Sequence, residues 1–514
     1  MFTKFIKILA MIAFFLVICS VLTACSSGGS NQNENQSQNS PNGDNGDNIE
    51  ANTEPATERE RPNIPEDTDY GGYEFRFLVP VVYQGESGDF NEVCVEEENG
   101  ETLNDAVYRR NRIVEELLNV KITTIVGTTW HEMPTSVKTS VQAGSDDFDA
   151  IAGAYQPSIA FAGCLENLYN VPGIDLSKPW WDGRMIESLS YKKSKLYYIS
   201  GDMGYYDKYG IACILFNKRL FADNGLEYPY DKVRSGNWTL DEFSELAKDF
   251  ARDLNGDGKM DENDQWGLVE NSGAALRTLF GCGERIIELD DEGVPYLGAI
   301  GERHIRAVMA IGDMMADKNT VLIADSGQLN HLSDPYTDGI HKVFKNSQAL
   351  FLGSQINEIV RFRDMDDDFG VVPFPKLDED QKDYHSWTVS YGNGSSYSIP
   401  ITNTNLERTG MIFEVMAGYS TDIIIPALID VSLKSKFARD EESAEMLEII
   451  FKSKVYDFAV EYGWGKISWA DLYWNVYSQL TLKGSDTFVS SMEKEMAKAE
   501  EQTEKWRNTF DEIN

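Results

Sequence analysis

The chain has 514 residues, with 46 Lys and Arg against 84 Asp and Glu and a formal net charge of −38. Phosphate contacts need clustered cations, so this balance excludes nucleic acid as a partner. At 42% hydrophobic and 11% aromatic residues the chain can bury a core, which excludes wholesale disorder.

Lys4 and Lys7 precede an apolar run from Ile8 to Ala24, the layout of a secretory signal and short for a membrane span. The run ends in Leu22-Thr23-Ala24-Cys25, which resembles a bacterial lipobox. That resemblance implies removal of residues 1–24 and a lipid on Cys25; an uncleaved N-terminal anchor is the alternative. Loss of the leader takes two Lys with it, so the mature protein is more acidic still. Residues 25–68 are mostly Asn, Ser, Gly, Glu and Pro, a composition that predicts a disordered tether. The globular part is expected over 69–514, and no later segment approaches about 20 unbroken apolar residues. Cys94, Cys164, Cys213 and Cys282 are scattered without metal spacing, leaving room for one or two disulfides. Cys213, inside the apolar run Ile211 to Phe216, reads as a small core residue.

The first strand is expected at Tyr73 to Val79, where Tyr73, Phe75, Phe77 and Val79 alternate with other residues. Leu103, Ala106, Val107, Val114, Leu117 and Leu118 then recur at helical spacing, followed by β-rich Lys121 to Val126 and a short strand at Phe148 to Ala152. This order predicts an α/β fold with a largely parallel sheet, whose ligands gather at the carboxyl ends of the strands. Thr239 and Glu242 form a capping box ahead of Phe243, Leu246 and Ala247, with Trp238 before it as a staple or core aromatic. The helix is expected to run from Leu240 to Arg252 into an oxygen-rich loop. Phe369 to Val372 reads as a strand leaving into Pro373 and Pro375, and the chain is mostly helical in pattern after Glu407.

That loop has the spacing of an EF-hand calcium loop: Asp253, Asn255, Asp257, Asp261 and Asp264 at positions 1, 3, 5, 9 and 12, Gly258 at 6, and the Lys259 carbonyl at 7. Asp in place of Glu at position 12 reaches less easily and predicts weakened, structural Ca2+ binding. An Asx-rich turn without metal fits the same residues. No nucleophile elbow, His-Glu-x-x-His or phosphate-binding loop occurs, and 84 acidic residues single out no glycosidase pair. His385 reads as ordinary surface or packing.

Segments 103–122 (LNDAVYRRNRIVEELLNVKI), 143–168, 214–250, 346–384 and 432–451 together resemble, in order and spacing, the family 1 extracellular solute-binding proteins of ABC importers. The resemblance implies a two-lobed periplasmic-binding-protein-like fold, with a hinge, an interlobe cleft, and crossings near 201–212 and 385–400. It also implies a carbohydrate ligand, permease subunits of an ABC importer as partners, a monomer, and no catalysis. It places Tyr155 and Gln156 in a first-lobe loop, and Asp202, Tyr205, Tyr206, Asp207 and Tyr209 in the crossing. Gly353, Ser354 and Gln355 fall in a second-lobe loop opening a helix, and Trp387 and Trp464 form aromatic walls. Such a mixture of flat rings, carboxylates and amides suits a pyranose, with its apolar faces and hydroxyl rim. Trp180 and Trp181 read equally as lobe packing or ligand platform. An oligopeptide receptor, a surface glycosidase and an adhesin without a small-molecule cleft are the other readings.

Overall fold

The computed structural model describes residues 60–81, 92–129, 132–153, 156–248, 250–298, 301–388, 395–431, 441–463 and 476–513. Cys25, Tyr155 and Trp464 lie outside the described residues, as does most of the expected tether. The folded part begins earlier than its composition suggests. Glu60 pairs with Lys178, Arg61 pairs with Asp422 at 2.6 Å, and Pro62 fills the space that a side chain on Gly418 would need.

The strands are β1 (Tyr73–Val81), β2 (Val120–Thr129), β3 (Ala150–Ala152), β4 (Ala212–Asn217), β5 (Trp266–Glu270), β6 (Ile287–Leu289), β7 (Pro295–Leu297), β8 (Val321–Ile323), β9 (Ala349–Gln355), β10 (Phe369–Val372), β11 (Ser386–Trp387), β12 (Tyr397–Ser398) and β13 (Lys454–Val455). The helices that position the site are α1 (Thr102–Leu118), α2 (Met133–Gln142), α3 (Gln156–Ala160), α4 (Tyr206–Tyr209), α5 (Leu240–Ala247), α6 (Leu406–Val431), α7 (Glu441–Lys452) and α8 (Phe488–Glu512).

Two sheets make two lobes. The first has the order β12-β3-β1-β2, parallel among β1, β2 and β3 and antiparallel only at β12. The second has the order β10-β4-β9-β5-β8 and is mixed, with β4 antiparallel to both of its neighbours. The chain leaves the first sheet after Ile199, which bridges to Tyr397, and enters the second at β4; it returns between β10 and β12. It crosses again around β13, which pairs with β11.

The alternation read at β1 corresponds to Phe75 and Phe77 buried with Arg76 between them, and Phe77 stacks on Phe413 of α6 at 5.9 Å. Helix α6 is 26 residues long and apolar enough to cross a membrane by length and composition, the one such helix among the described residues. Here it is a core helix. It packs along α1, and Ile412, Phe413, Val415 and Met416 are fully buried. Trp238 is likewise core, its Nε1 donating to the Pro373 carbonyl at 2.9 Å, and Thr239 caps α5 through the Glu242 amide. That helix stops at Ala247, short of the expected Arg252, because the chain turns extended at Lys248 and Arg252 bridges to Gln265. The four described cysteines are free thiols, with Cys164, Cys213 and Cys282 buried.

Candidate functional site

The crossing segment starts with two glycines that are required sterically. A Cβ on Gly201 would meet the Trp180 carbonyl at 2.3 Å, and one on Gly204 would meet the Tyr397 hydroxyl at 2.0 Å and Glu92 at 2.4 Å. The absence of side chains lets the segment press against the first lobe, where Asp202 donates its amide to the Trp180 carbonyl at 2.8 Å.

Glu92, fully buried, ties the two crossings together. One carboxylate oxygen accepts the Tyr205 and Tyr206 amides at 2.9 and 3.0 Å and the Ser395 hydroxyl at 2.5 Å; the other accepts the Tyr397 hydroxyl at 2.8 Å. It thereby caps α4, whose free amides need an acceptor. Burial pushes this carboxyl up, against the lowering pull of its four donors. Arg110 of α1 fixes the same junction from behind: its guanidinium donates to the carbonyls of Met203, Glu92 and Val93 and to Ser420 Oγ, all within 3.1 Å. Held by neutral acceptors in a dry place, Arg110 is lowered to about 10 by burial.

Beside this junction runs a buried ladder of alternating charge. Lys454 Nζ lies 2.5 Å from Asp182 and 2.6 Å from Asp207. Lys208 Nζ lies 3.0 Å from the other oxygen of Asp207 and 3.7 Å from Asp202. Burial would raise the Asp182 carboxyl, but Lys454 and its hydrogen bond, with that of Tyr456 at 2.8 Å, hold it below the usual range. Burial would lower Lys454, yet Asp182 and Asp207 carry it well above the ordinary lysine value. The ladder joins the first lobe, the outgoing crossing and the β13 crossing in one electrostatic unit.

Above the ladder opens a cavity of about 670 Å3 between the lobes. Trp180, Trp181, Arg184 and Asp202 line it from the first lobe, and Phe451 and Lys452 of α7 from the second, with Lys208 and Lys454 between. Trp181 is anchored by Nε1 to Glu414 of α6 at 3.0 Å, and both indoles are almost wholly buried in their lobe. Trp180 and Trp181 thus pack the lobe and border the cavity.

The expected site residues are divided by the fold. Asp202 lines the cavity, its other oxygen accepting from Thr421 at 2.8 Å. Asp207 is fully buried and belongs to the ladder beneath. Tyr205, Tyr206 and Tyr209 pack on one another, with centroids 4.9 to 6.1 Å apart, and against Ile424 and Leu428 of α6. Gln156 opens α3 and is fully buried, accepting from Ser398 Oγ at 2.6 Å, so it ties the first lobe to the returning crossing. Gly353, Ser354 and Gln355 are not a loop but the end of β9, and the turn after them is a 3-10 helix. Gly353 is bare because the Glu270 carboxylate, paired to Arg277 at 2.5 Å, occupies the place of its Cβ. Trp387 is half-buried in β11, 6.1 Å from Phe280. His385 stands 3.4 Å from Arg285 and is pushed down to about 4 by burial and by Arg285 and Arg184.

Asp182, Arg184, Lys208 and Lys454 were missed by sequence reasoning. The available signal was modest: Lys454 precedes Val455, Tyr456 and Phe458, a cation in company that is otherwise buried.

In the 253–264 loop the oxygens turn to the loop's own amides. Asp253 accepts from Gly256 and Gly258 at 2.6 and 2.8 Å, Asn255 from Asp257, Asp257 from Lys259, and Asp264 from Leu254 and Asp261 at 2.9 Å each. The all-oxygen set suits calcium chemically. Among the described residues, however, no three His, Cys, Asp or Glu side chains gather closely enough to hold a metal ion.

No family model and no curated protein matches the chain. Solved structures do. Maltose-binding periplasmic protein MalE from Listeria monocytogenes, in complex with maltose, is 13% identical with a TM-score of 0.54, over 85% of this chain and 99% of that one. An ABC substrate-binding protein from the same organism, in complex with cycloalternan, is 14% identical with a TM-score of 0.50, over 83% and 98%. A family 1 extracellular solute-binding protein from Bifidobacterium longum subsp. infantis is 12% identical with a TM-score of 0.51, over 83% and 99%. With two sheets, crossing segments and an interlobe cavity already established, the chain has the two-lobed fold of the family 1 extracellular solute-binding proteins.

Proposed function

We propose that this protein is a receptor that closes its two lobes on a carbohydrate and presents the closed form to the permease subunits of an ABC importer. The observation that carries the reading is the cavity between the lobes, bordered by Trp180, Trp181 and the partly exposed Phe451 beside carboxylates and cations. The partly exposed Phe451 ring can cover a C–H face of a pyranose while charged groups bind its hydroxyls. Ligand touching both lobes favours the closed state by its differential affinity, which is how occupancy becomes a shape that a partner can read. The solved structures of this fold support it, since those bound to maltose and cycloalternan hold saccharides.

Calorimetry against a panel of oligosaccharides, with products followed by chromatography, tests the reading. Saturable binding without turnover is expected; hydrolysis would replace the receptor with a glycosidase, and heat from peptides alone would replace it with a peptide receptor. The carboxylates nearest the cavity are committed to Lys208, Lys454 and Thr421, which favours binding over acid-base chemistry.

The same reading puts the protein outside the cytoplasm, held to the membrane by lipid on Cys25. Cell fractionation should find the wild type with membranes and Cys25→Ala without lipid; an unchanged, lipid-free N-terminus in the wild type would reject the anchor. Calcium at the 253–264 loop would be held by Asp253, Asn255, Asp257, the Lys259 carbonyl, Asp261 and Asp264, in exchange for amide partners they have now. That exchange predicts weak binding and a purely structural role. Calcium should raise the melting temperature by a few degrees in the wild type and not in Asp253→Asn, whereas equal melting of both with calcium and with chelator would dismiss the ion.

A further inference from the structure

With 84 acidic residues available, this chain pairs its buried and half-buried arginines thoroughly. Arg76 holds Asp146 and Asp149, Arg277 holds Glu270, and Arg303 holds Glu284. Arg110, lacking a carboxylate, is surrounded by carbonyls. Arg507 likewise donates to the Pro295 carbonyl, whereas two further half-buried arginines without a carboxylate partner, Arg184 and Arg285, line one place.

A second cavity of about 370 Å3 adjoins the first, sharing Arg184 and Lys454 with it. Arg184 comes from the first-lobe helix Gly183–Leu189, and Arg285 precedes β6. Among the described residues neither guanidinium has a carboxylate within ion-pair distance. Arg285 donates only to its neighbour's carbonyl, Glu284, at 2.7 Å and touches His385; its back lies over the Phe280 ring at 5.6 Å. Asp457, which with Glu284 and Glu288 attracts Arg285 from a distance, gives its oxygens to the amides of Ile286, Ile287, Ala459 and Val460. The other acids lining the cavity, Glu187 and Glu288, are exposed at its rim, and Glu288 accepts from Tyr296 at 2.6 Å. Burial, together with Arg285 and Arg184, keeps the His385 imidazole neutral, removing a third cation from the cavity while leaving its ring nitrogen as a partner.

We propose that the saccharide taken by this cleft carries an anionic substituent, a uronate carboxylate or a sulfate ester, that docks between Arg184 and Arg285. This deepens the carbohydrate reading and rests on it. The planar five-donor fork of arginine matches a carboxylate or sulfate edge with two parallel hydrogen bonds. An anion approaching a protein of net charge −38 is repelled at long range, so a local pair of cations without an ion-paired carboxylate is what such a ligand requires. Docking across Arg184 and Arg285 would also link the first lobe to the segment ahead of β6, so the charge would contribute to closure as well as to affinity.

The test is calorimetry on the full chain with galactotriose, trigalacturonate, a sulfated galactose trisaccharide and triglutamate, for the wild type, Arg184→Gln, Arg285→Gln and Arg285→Lys. The expected result is binding of one or both acidic saccharides, weakened by salt, with galactotriose at least about tenfold weaker and each Gln variant losing about tenfold or more. Arg285→Lys, which keeps the charge without the fork, should recover part of that loss, and unchanged melting of the variants shows that they fold. Which acidic sugar binds identifies the substituent. Equal binding of galactotriose, untouched by the Gln variants, overturns the anionic substituent and leaves the carbohydrate receptor standing. Binding of triglutamate alone overturns both.

Discussion

Replacing Lys454 with Met is expected to destabilise the protein by about 3–5 kcal/mol, because it leaves Asp182 a buried carboxylate without a cation, while Asp207 keeps Lys208 at 3.0 Å. The wild-type pair is held at 2.5 and 2.6 Å. The pH dependence should identify the cause. The Asp182 carboxyl is held down in the fold, so its contribution is present above the unfolded value of about 3.9 and is lost as pH falls through the folded one. Lys454 is held up, so its contribution is complete below about 10.4 and is lost only as pH rises through its higher folded value. Between those limits the wild-type pair is at full strength. In the variant Asp182 loses the cation that holds it down against burial, so it takes up a proton more easily than in the wild type and acid relieves the loss. The gap in urea midpoint between the two proteins should be widest near neutrality and narrow in mild acid. A gap that did not change with pH would mean that Lys454 acts by packing alone.

Glu92→Ala should be comparably damaging, while Glu92→Gln should be far milder. Alanine leaves the amides of Tyr205 and Tyr206 and the hydroxyls of Ser395 and Tyr397 without their acceptor, each buried orphan costing about 1–3 kcal/mol. Glutamine keeps an oxygen for the two amides and can donate to Tyr397 instead. Burial raises the Glu92 carboxyl above its unfolded value of about 4.3, so the protein is favoured below that value and loses this part of its stability as pH climbs to the folded one. The Gln variant has no such proton and its stability should be flat over that window. Amide hydrogen exchange gives the local readout: Tyr205 and Tyr206 should exchange faster in the Ala variant. Unchanged protection there would remove Glu92 from the hinge.

Much of the fold was legible because it was written locally. Alternation gave β1, helical spacing gave α1, and the Thr239 and Glu242 spacing gave the start of α5. The lobes were legible only through family resemblance, since nothing local says that β12 joins β3 across some 245 intervening residues. The site was read least well, and for one reason. Polar and aromatic side chains near the crossings were assigned to ligand, whereas the fold spends several of them on itself: Gln156 on Ser398, Asp207 on two lysines, and the three tyrosines on α6. Conversely, Arg184 and Lys454 belong to no motif. They meet at one cavity only after 270 residues of intervening chain have folded.

The C-terminal helix has a consequence for the order of assembly. Residues of α8 and the turn after it are bound to the first lobe: Asp511 accepts from Tyr191 at 2.9 Å and Lys192 at 2.6 Å, Lys195 donates to the Phe510 carbonyl at 2.7 Å, and Phe510 stacks on Tyr191 and Tyr197. With β12 and α6 also supplied late, a nascent chain that has made everything through β10 still holds an unfinished first lobe with an open sheet edge at β3. Contacts of such long sequence separation form slowly. Until β12, α6 and α8 have been made, the first lobe of a chain with this topology therefore lacks part of its own packing.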